Sequence, residues 1–182
     1  MMEQEKKRRF SLDDDFMKSR INAPLYGMLR CLSTAMPTNE LTPAGNRKYK
    51  EYLPAETINN NRKWIMDVCG IGSVKTLNRH MELLREKGLV ELGKFESNGF
   101  TYPCYFFPFD YDGVYKLINK DLLFAIVTGL RDHALKIYLY LLNCSGMKEN
   151  YEFTLNELKE ALGYATSTKT VDKGINVALK ML

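Results

Sequence analysis

One phrase occurs twice in this chain: Cys69-Gly70-Ile71-Gly72-Ser73-Val74-Lys75-Thr76-Leu77 and, with one extra residue in the turn, Leu162-Gly163-Tyr164-Ala165-Thr166-Ser167-Thr168-Lys169-Thr170-Val171. Both copies read apolar-Gly-apolar, then Ser-x-Lys-Thr-apolar at the head of an amphipathic stretch. A glycine there lets one helix end in the left-handed conformation, the next apolar residue plugs the corner, and the serine caps a second helix. The phrase predicts a helix-turn-helix, duplicated.

The surroundings of the first copy extend the pattern. Leu25, Met28, Leu29, Leu32, Ala35 and Met36 recur at three and four after Pro24, predicting a helix over 24–36. Residues 37–54 read as a long connection carrying Arg47, Lys48, Tyr49 and Lys50. A helix over 56–69 turns Ile58, Ile65, Val68 and Cys69 inward, and one over 73–87 buries Val74, Leu77, Met81 and Leu84. Gly88 stops it; a strand over 89–95, the type I′ turn signal Asn98-Gly99 and a return strand over 100–107 predict a hairpin. Pro103 cannot donate to a ladder, so its strand is expected at a sheet edge.

Around the second copy, 120–130 is apolar enough for a buried helix. Ala134, Ile137, Tyr138, Leu141 and Leu142 mark another helix, with Asp132 as its cap, and 151–153 suits a short strand. Thr154-Leu155-Asn156-Glu157 is a capping box opening a helix that turns Leu155, Leu158, Ala161 and Leu162 inward. A last helix from Ser167 buries Val171, Ile175, Ala178 and Leu179.

A helix-turn-helix followed by a two-stranded hairpin is a winged helix. The expected fold is therefore α+β, mainly helical with small β wings: a tandem winged helix-turn-helix whose second copy stops before its wing, as part of a longer protein. Residues 1–20 form a polar arm in which Asp13-Asp14-Asp15 offsets Lys6-Lys7-Arg8-Arg9; 21–108 is the first winged helix, 109–120 a sticky linker with Phe109, Tyr111 and Tyr115, and 121–182 the second, incomplete one.

Composition narrows the classes of function. With 182 residues and 45% hydrophobic content the chain can build real cores, and a net charge of +4 permits a nucleic-acid partner without demanding one. Cys31, Cys69, Cys104 and Cys144 lie far apart among apolar neighbours, which fits structural thiols in a reducing cytoplasm. The longest apolar run, Leu122 to Val127, is too short for a membrane span, and the N-terminus has no apolar signal core. Gly70 to Thr76 superficially matches a phosphate-binding loop, but Val74 stands where a glycine should precede the lysine. His80 and His133 have no ligand-spaced partners, and Asp110-Tyr111-Asp112-Gly113 is too short for a calcium loop. No catalytic, metal or cofactor site is expected.

DNA affinity needs cations and small donors near phosphates; specificity needs side chains that reach base edges. In the first candidate recognition helix Asn78 and Arg79 suit adenine and guanine edges, while Ser73, Lys75 and Thr76 suit phosphates. Lys94 and Asn98 on the wing are further candidates, and Ser167, Lys169, Thr170 and Lys173 are the corresponding positions of the second copy. There Asp172 takes the place of Asn78, which weakens the second surface. The expected partner is double-stranded DNA. Phe100, Tyr102, Tyr105, Phe106 and Phe107 on one strand also point to self-association or a protein partner.

Two winged helices joined by a packed linker, with Ala134-Leu135-Lys136-Ile137-Tyr138-Leu139-Tyr140-Leu141-Leu142 and Thr154-Leu155-Asn156-Glu157-Leu158 as opening helices of the second, resemble the tandem winged-helix replication initiators of plasmids and phages and related replisome-organiser domains. The resemblance covers most of the chain and implies recognition of a replication origin. Bacterial transcription regulators use the same helix-turn-helix grammar.

Overall fold

The computed structural model describes residues 7–11, 14–41, 45, 47–108, 115–130, 133–144 and 153–180. In chain order the elements are β1 (Lys7–Ser11), α1 (Asp14–Met17), α2 (Ala23–Leu32), β2 (Thr34–Leu41), β3 (Arg47–Pro54), α3 (Ala55–Asn60), α4 (Arg62–Cys69), α5 (Val74–Glu86), β4 (Glu91–Ser97), β5 (Phe100–Phe107), β6 (Tyr115–Asn119), α6 (Lys120–Gly129), α7 (His133–Cys144), α8 (Leu155–Ala161) and α9 (Thr170–Leu179). The fold is α+β. Four strands form an antiparallel sheet in the order β2-β3-β5-β4, and β1 pairs antiparallel with β6 in a separate ribbon.

Local chemistry sets most helix ends. Asn22 caps α2 by accepting the Leu25 N–H at 2.8 Å, and its Nδ2 donates to the Cys69 carbonyl at 3.2 Å, tying the start of α2 to the end of α4. α2 stops at Leu32, where Ser33 is extended; Ala35 and Met36 pair with β3 instead of continuing the helix. Pro37 explains part of this, since a proline disfavours helical backbone in the residue before it. The stretch expected as a connection over 37–54 is mostly the β2–β3 hairpin. The helix expected over 56–69 is two, broken at Asn61 (φ −105°, ψ 12°).

Three helices end alike. Gly70, Gly88 and Gly163 are left-handed, and the apolar residue after each sends its N–H back five positions: Ile71 to Met66 at 2.8 Å, Leu89 to Leu84 at 3.0 Å, Tyr164 to Lys159 at 2.8 Å. This is the glycine-closed terminus read from both copies of the repeat. Asn98 and Gly99 both have positive φ, 51° and 77°, as a type I′ turn requires.

The strand carrying Pro103 is interior, not at the sheet edge: β5 lies between β3 and β4. The proline is tolerated because β3 pairs only as far as Cys104, so at Pro103 the strand has a neighbour on one side alone.

The core runs through both repeat units. Leu25, Leu29, Leu53, Ile65 and Leu84 belong to the same buried cluster as Leu123, Ile126, Leu135, Leu139 and Leu158. α2 packs on α6, and α7 on α9. The described residues of the stretch expected as a polar arm join this fold: Phe16 and Met17 are buried in the core, and β1 is held by β6 within the expected linker. One α-helical turn exposes no period that a sequence reading can detect, and its two large apolar residues are what bury it.

Arg30 and Glu51 form an ion pair of 3.1 Å inside the protein, between α2 and β3, with the guanidinium 5.0 Å from the Phe107 ring centroid. Cys31, Cys69 and Cys104 are buried thiols; Cys144's side chain, Asp132 and 151–152 lie outside the described residues. Among the described residues no helix is long and apolar enough to cross a membrane.

Candidate nucleic-acid interface

α5 is positioned at both ends. The Gly70 closure fixes where α4 stops, and Ser73 starts α5 by accepting the Thr76 N–H at 3.1 Å, with the two hydroxyl oxygens 2.9 Å apart. Leu77, Met81 and Leu84 face the core, so Lys75, Thr76, Asn78 and Arg79 are exposed around the rest of the first two turns. Val74, expected inside, is exposed: as the first helical residue it projects ahead of the core, and the buried stripe begins at Leu77.

A cleft of about 220 Å³ lies between α3, α5 and the β4–β5 hairpin, lined by Asn78, Met81, Arg85, Arg62, Leu92 and Tyr105 among others. Arg62 donates to Asn59 Oδ1 at 2.6 Å and Arg85 to Glu82 Oε2 at 2.8 Å, so both guanidiniums are held in place beside Asn78. Sequence reasoning missed Arg62. Its basic character is visible in the sequence, but its place in the cleft beside α5 is a matter of packing between elements. His80, at the border of the exposed face, has its pKa lowered by burial and, secondarily, by the Arg79 charge.

Strand register decides which way the side chains of the β4–β5 hairpin point. Lys94 pairs with Pro103 and Leu92 with Tyr105, so these four share one sheet face. Leu92 and Tyr105 line the cleft with α5, which puts exposed Lys94 on the side of the sheet that α5 occupies. Glu96 shares that face, and Asn98 stands exposed at the turn. The opposite face carries Phe95, Phe100, Tyr102, Cys104 and Phe106, with Tyr52 from β3. Tyr52 and Phe95 stack with centroids 4.5 Å apart and planes 13° apart, while Phe100 is 65% and Tyr102 43% exposed. Tyr105 and Phe107 face the helices instead, so the five aromatics of β5 do not form one surface. Burial pushes the Cys104 thiol pKa up.

The second copy of the repeat departs from the first at its helix start. Ser167 is exposed and caps nothing; the helix begins at Thr170, and Lys169 sits at the cap position with helical dihedrals and no side-chain cap bond. Lys169 and Lys173 are exposed, whereas the Thr170 and Val171 side chains lie outside the described residues. Asp172 is not an unopposed carboxylate: Lys159 Nζ lies 2.8 Å from it and 3.2 Å from the Thr166 carbonyl. Ile175 and Ala178 are buried as expected, but Leu155 and Leu179 are exposed. The Thr154–Glu157 capping box is complete, and its hydrogen bonds, the backbone one first, hold the Glu157 pKa low. Comparison with protein-family models, curated proteins and solved structures finds no match to this chain.

Proposed function

We propose that this protein binds double-stranded DNA sequence-specifically, using α4 and α5 as a helix-turn-helix and the β4–β5 hairpin as its wing. The observation that carries the reading is the juxtaposition on α5 of a rigid N-terminus, capped by Ser73, with exposed Lys75, Thr76, Asn78 and Arg79, and of Lys94 on the same side of the wing. Phosphates take the lysines and hydroxyls; base edges take Asn78 and Arg79. Arg62 extends the cationic surface beside them, while Arg85 is paired with Glu82. In this reading α8 and α9 form a second, weaker module, the two together make a tandem winged-helix arrangement, and the protein works in the cytoplasm. The resemblance to plasmid and phage initiators makes origin recognition the leading biological role, with transcription regulation as its neighbour in chemistry.

Selection from a random duplex library tests this. One recovered motif, lost with Asn78→Ala or Arg79→Ala, is the expected result; enrichment of no motif would remove the specific-binding reading.

The outer sheet face favours a second reading. Exposed Phe100 and Tyr102 beside the Tyr52–Phe95 stack suit a protein partner or a second copy. Sedimentation of Phe100→Ser/Tyr102→Ser against the parent separates self-association from a monomer.

A further inference from the structure

β4 is the last strand of the four-stranded sheet, and among the described residues β5 is its only partner strand. The other edge of β4 presents unused backbone donors and acceptors, a template for one more strand. The hairpin fixes which residues present them. Ser97 and Phe100 flank the two-residue turn and exchange both backbone hydrogen bonds, so odd positions of β4 bond to β5 and even ones, Leu92, Lys94 and Glu96, aim outward. Pro103 agrees: with no N–H to give, it stands opposite Lys94, where the alternation asks β5 for none.

We propose that two copies of the protein join through this edge, β4 against β4, antiparallel and centred on Phe95. The inference rests on the self-association reading of the wing and gives it an edge and a register.

Charge selects the register. Outward-aimed groups meet only when even residues face even ones, which leaves few two-fold alignments. Centred on Lys94, two ammoniums face each other; centred on Glu96, two carboxylates do. Centred on Gly93, Lys94 faces Leu92 and Glu96 faces the buried Val90. Centred on Phe95, Lys94 of each copy faces Glu96 of the other, so two opposite-charge pairs form. Lys94 and Glu96 are both exposed, and neither has an ion-pair partner among the described residues.

The outer sheet face fits the same alignment. Phe95 then meets Phe95 of the second copy at a position without backbone bonds, where facing Cα atoms come closest, about 4.5 Å. Tyr102 pairs with Phe95 inside each hairpin, so the joined sheet carries four rings in a row, Tyr102 and Phe95 from each copy. Tyr52 stacks on Phe95 and holds that ring in place. A Lys94 engaged by Glu96 is not available to a phosphate, so the pairing belongs to the DNA-free protein. A seven-residue edge is a small interface, which makes the dimer weak.

Sedimentation velocity of the full chain without DNA, over roughly 10–500 μM, should show a reversible monomer–dimer equilibrium. Lys94→Glu and Glu96→Lys, both at exposed positions, should each raise the dimer dissociation constant by about tenfold or more, because like charges then face each other twice. Circular dichroism confirms that the variants fold. Mixed in equal amounts, the two variants should dimerise with each other, since one strand brings two carboxylates and the other two ammoniums. The exchange Lys94→Glu/Glu96→Lys within one chain should restore self-pairing. Dimers that survive both reversals, or a mixture that stays monomeric, overturn the edge pairing; if Phe100→Ser/Tyr102→Ser abolishes such surviving dimers, self-association stands on the sheet face alone. A parent that is monomeric throughout overturns both the edge pairing and the self-association reading.

Discussion

Lys159 and Asp172 form an ion pair, with Nζ 2.8 Å from the carboxylate, that clamps α8 to α9. The Lys159 side chain is 3% exposed and the Asp172 side chain 41%, with the Oδ1 that faces the ammonium itself buried, so the lysine is the member that cannot be left alone. Removing one partner of a buried pair costs about 3–5 kcal/mol, and solvent reaching the carboxylate reduces this to roughly 1–2 kcal/mol for Asp172→Asn. Urea denaturation should report that loss, and the double variant Lys159→Met/Asp172→Asn should regain much of it. A single variant as stable as the parent would mean that the pair contributes nothing.

The three glycine-closed helix ends are not equivalent. Gly88 has φ 67° with open space where a Cβ would stand, so Gly88→Ala meets only the left-handed backbone penalty, about 1–2 kcal/mol. Gly163 has φ 72° and a Cβ would lie 3.1–3.3 Å from Lys18 atoms, two of them backbone. Gly163→Ala is therefore expected to destabilise more than Gly88→Ala, by an additional margin on the order of 1 kcal/mol. Thermal or chemical denaturation of the two variants ranks them; equal losses would show that the Lys18 segment yields without cost.

What the sequence could reveal follows from the range of the interactions. The Asn98-Gly99 turn, the Ser73 cap, the Thr154–Glu157 box and the Gly-apolar helix ends are decided within six residues, and all are present as read. The β2–β3 hairpin was missed because β2 shows little burial along its length, so it has no hydrophobic alternation to read. Its partner β3 is fixed by β5, some fifty residues on, and β1 by β6, more than a hundred away. The same limit applies to the site. Local reading found Lys75, Asn78 and Arg79 on one helix, but Arg62 joins them only through packing of α3 and α5 around a cleft. Asp172 was legible as a carboxylate and not as half of an ion pair, since Lys159 lies on another helix.

His80 supplies a pH dependence. Burial, then the neighbouring Arg79 charge, lowers its pKa in the folded protein below the ordinary histidine value of about 6.5. The unfolded chain therefore binds the proton first as pH falls. This contribution to stability is intact above about 6.5 and is lost as pH drops through that value toward the folded one. NMR titration of the imidazoles, of which there are two, should place His80 below its free value, and Arg79→Ala should raise it part of the way back. A pKa unchanged by that substitution would remove Arg79 as a cause.

If α5 is the reading helix, the two repeat copies contribute unequally to DNA affinity. α5 begins in a capped turn with Lys75, Asn78 and Arg79 exposed, and Arg79→Ala or Asn78→Ala should each cost roughly 1–3 kcal/mol on the preferred duplex. Lys75→Ala should instead weaken all duplexes alike and reduce the salt slope by about 1. α9 starts later than its repeat phrase suggested, without a side-chain cap, and carries Asp172 where α5 carries Asn78. Lys159 offsets part of that negative charge, so repulsion of phosphate is moderated, and Lys169 and Lys173 keep some attraction. The expected order is a larger loss from Lys75→Ala/Arg79→Ala than from Lys169→Ala/Lys173→Ala, measured at one salt concentration on variants shown to be folded. The reverse order would make the C-terminal helix the principal reader and leave α5 as its support.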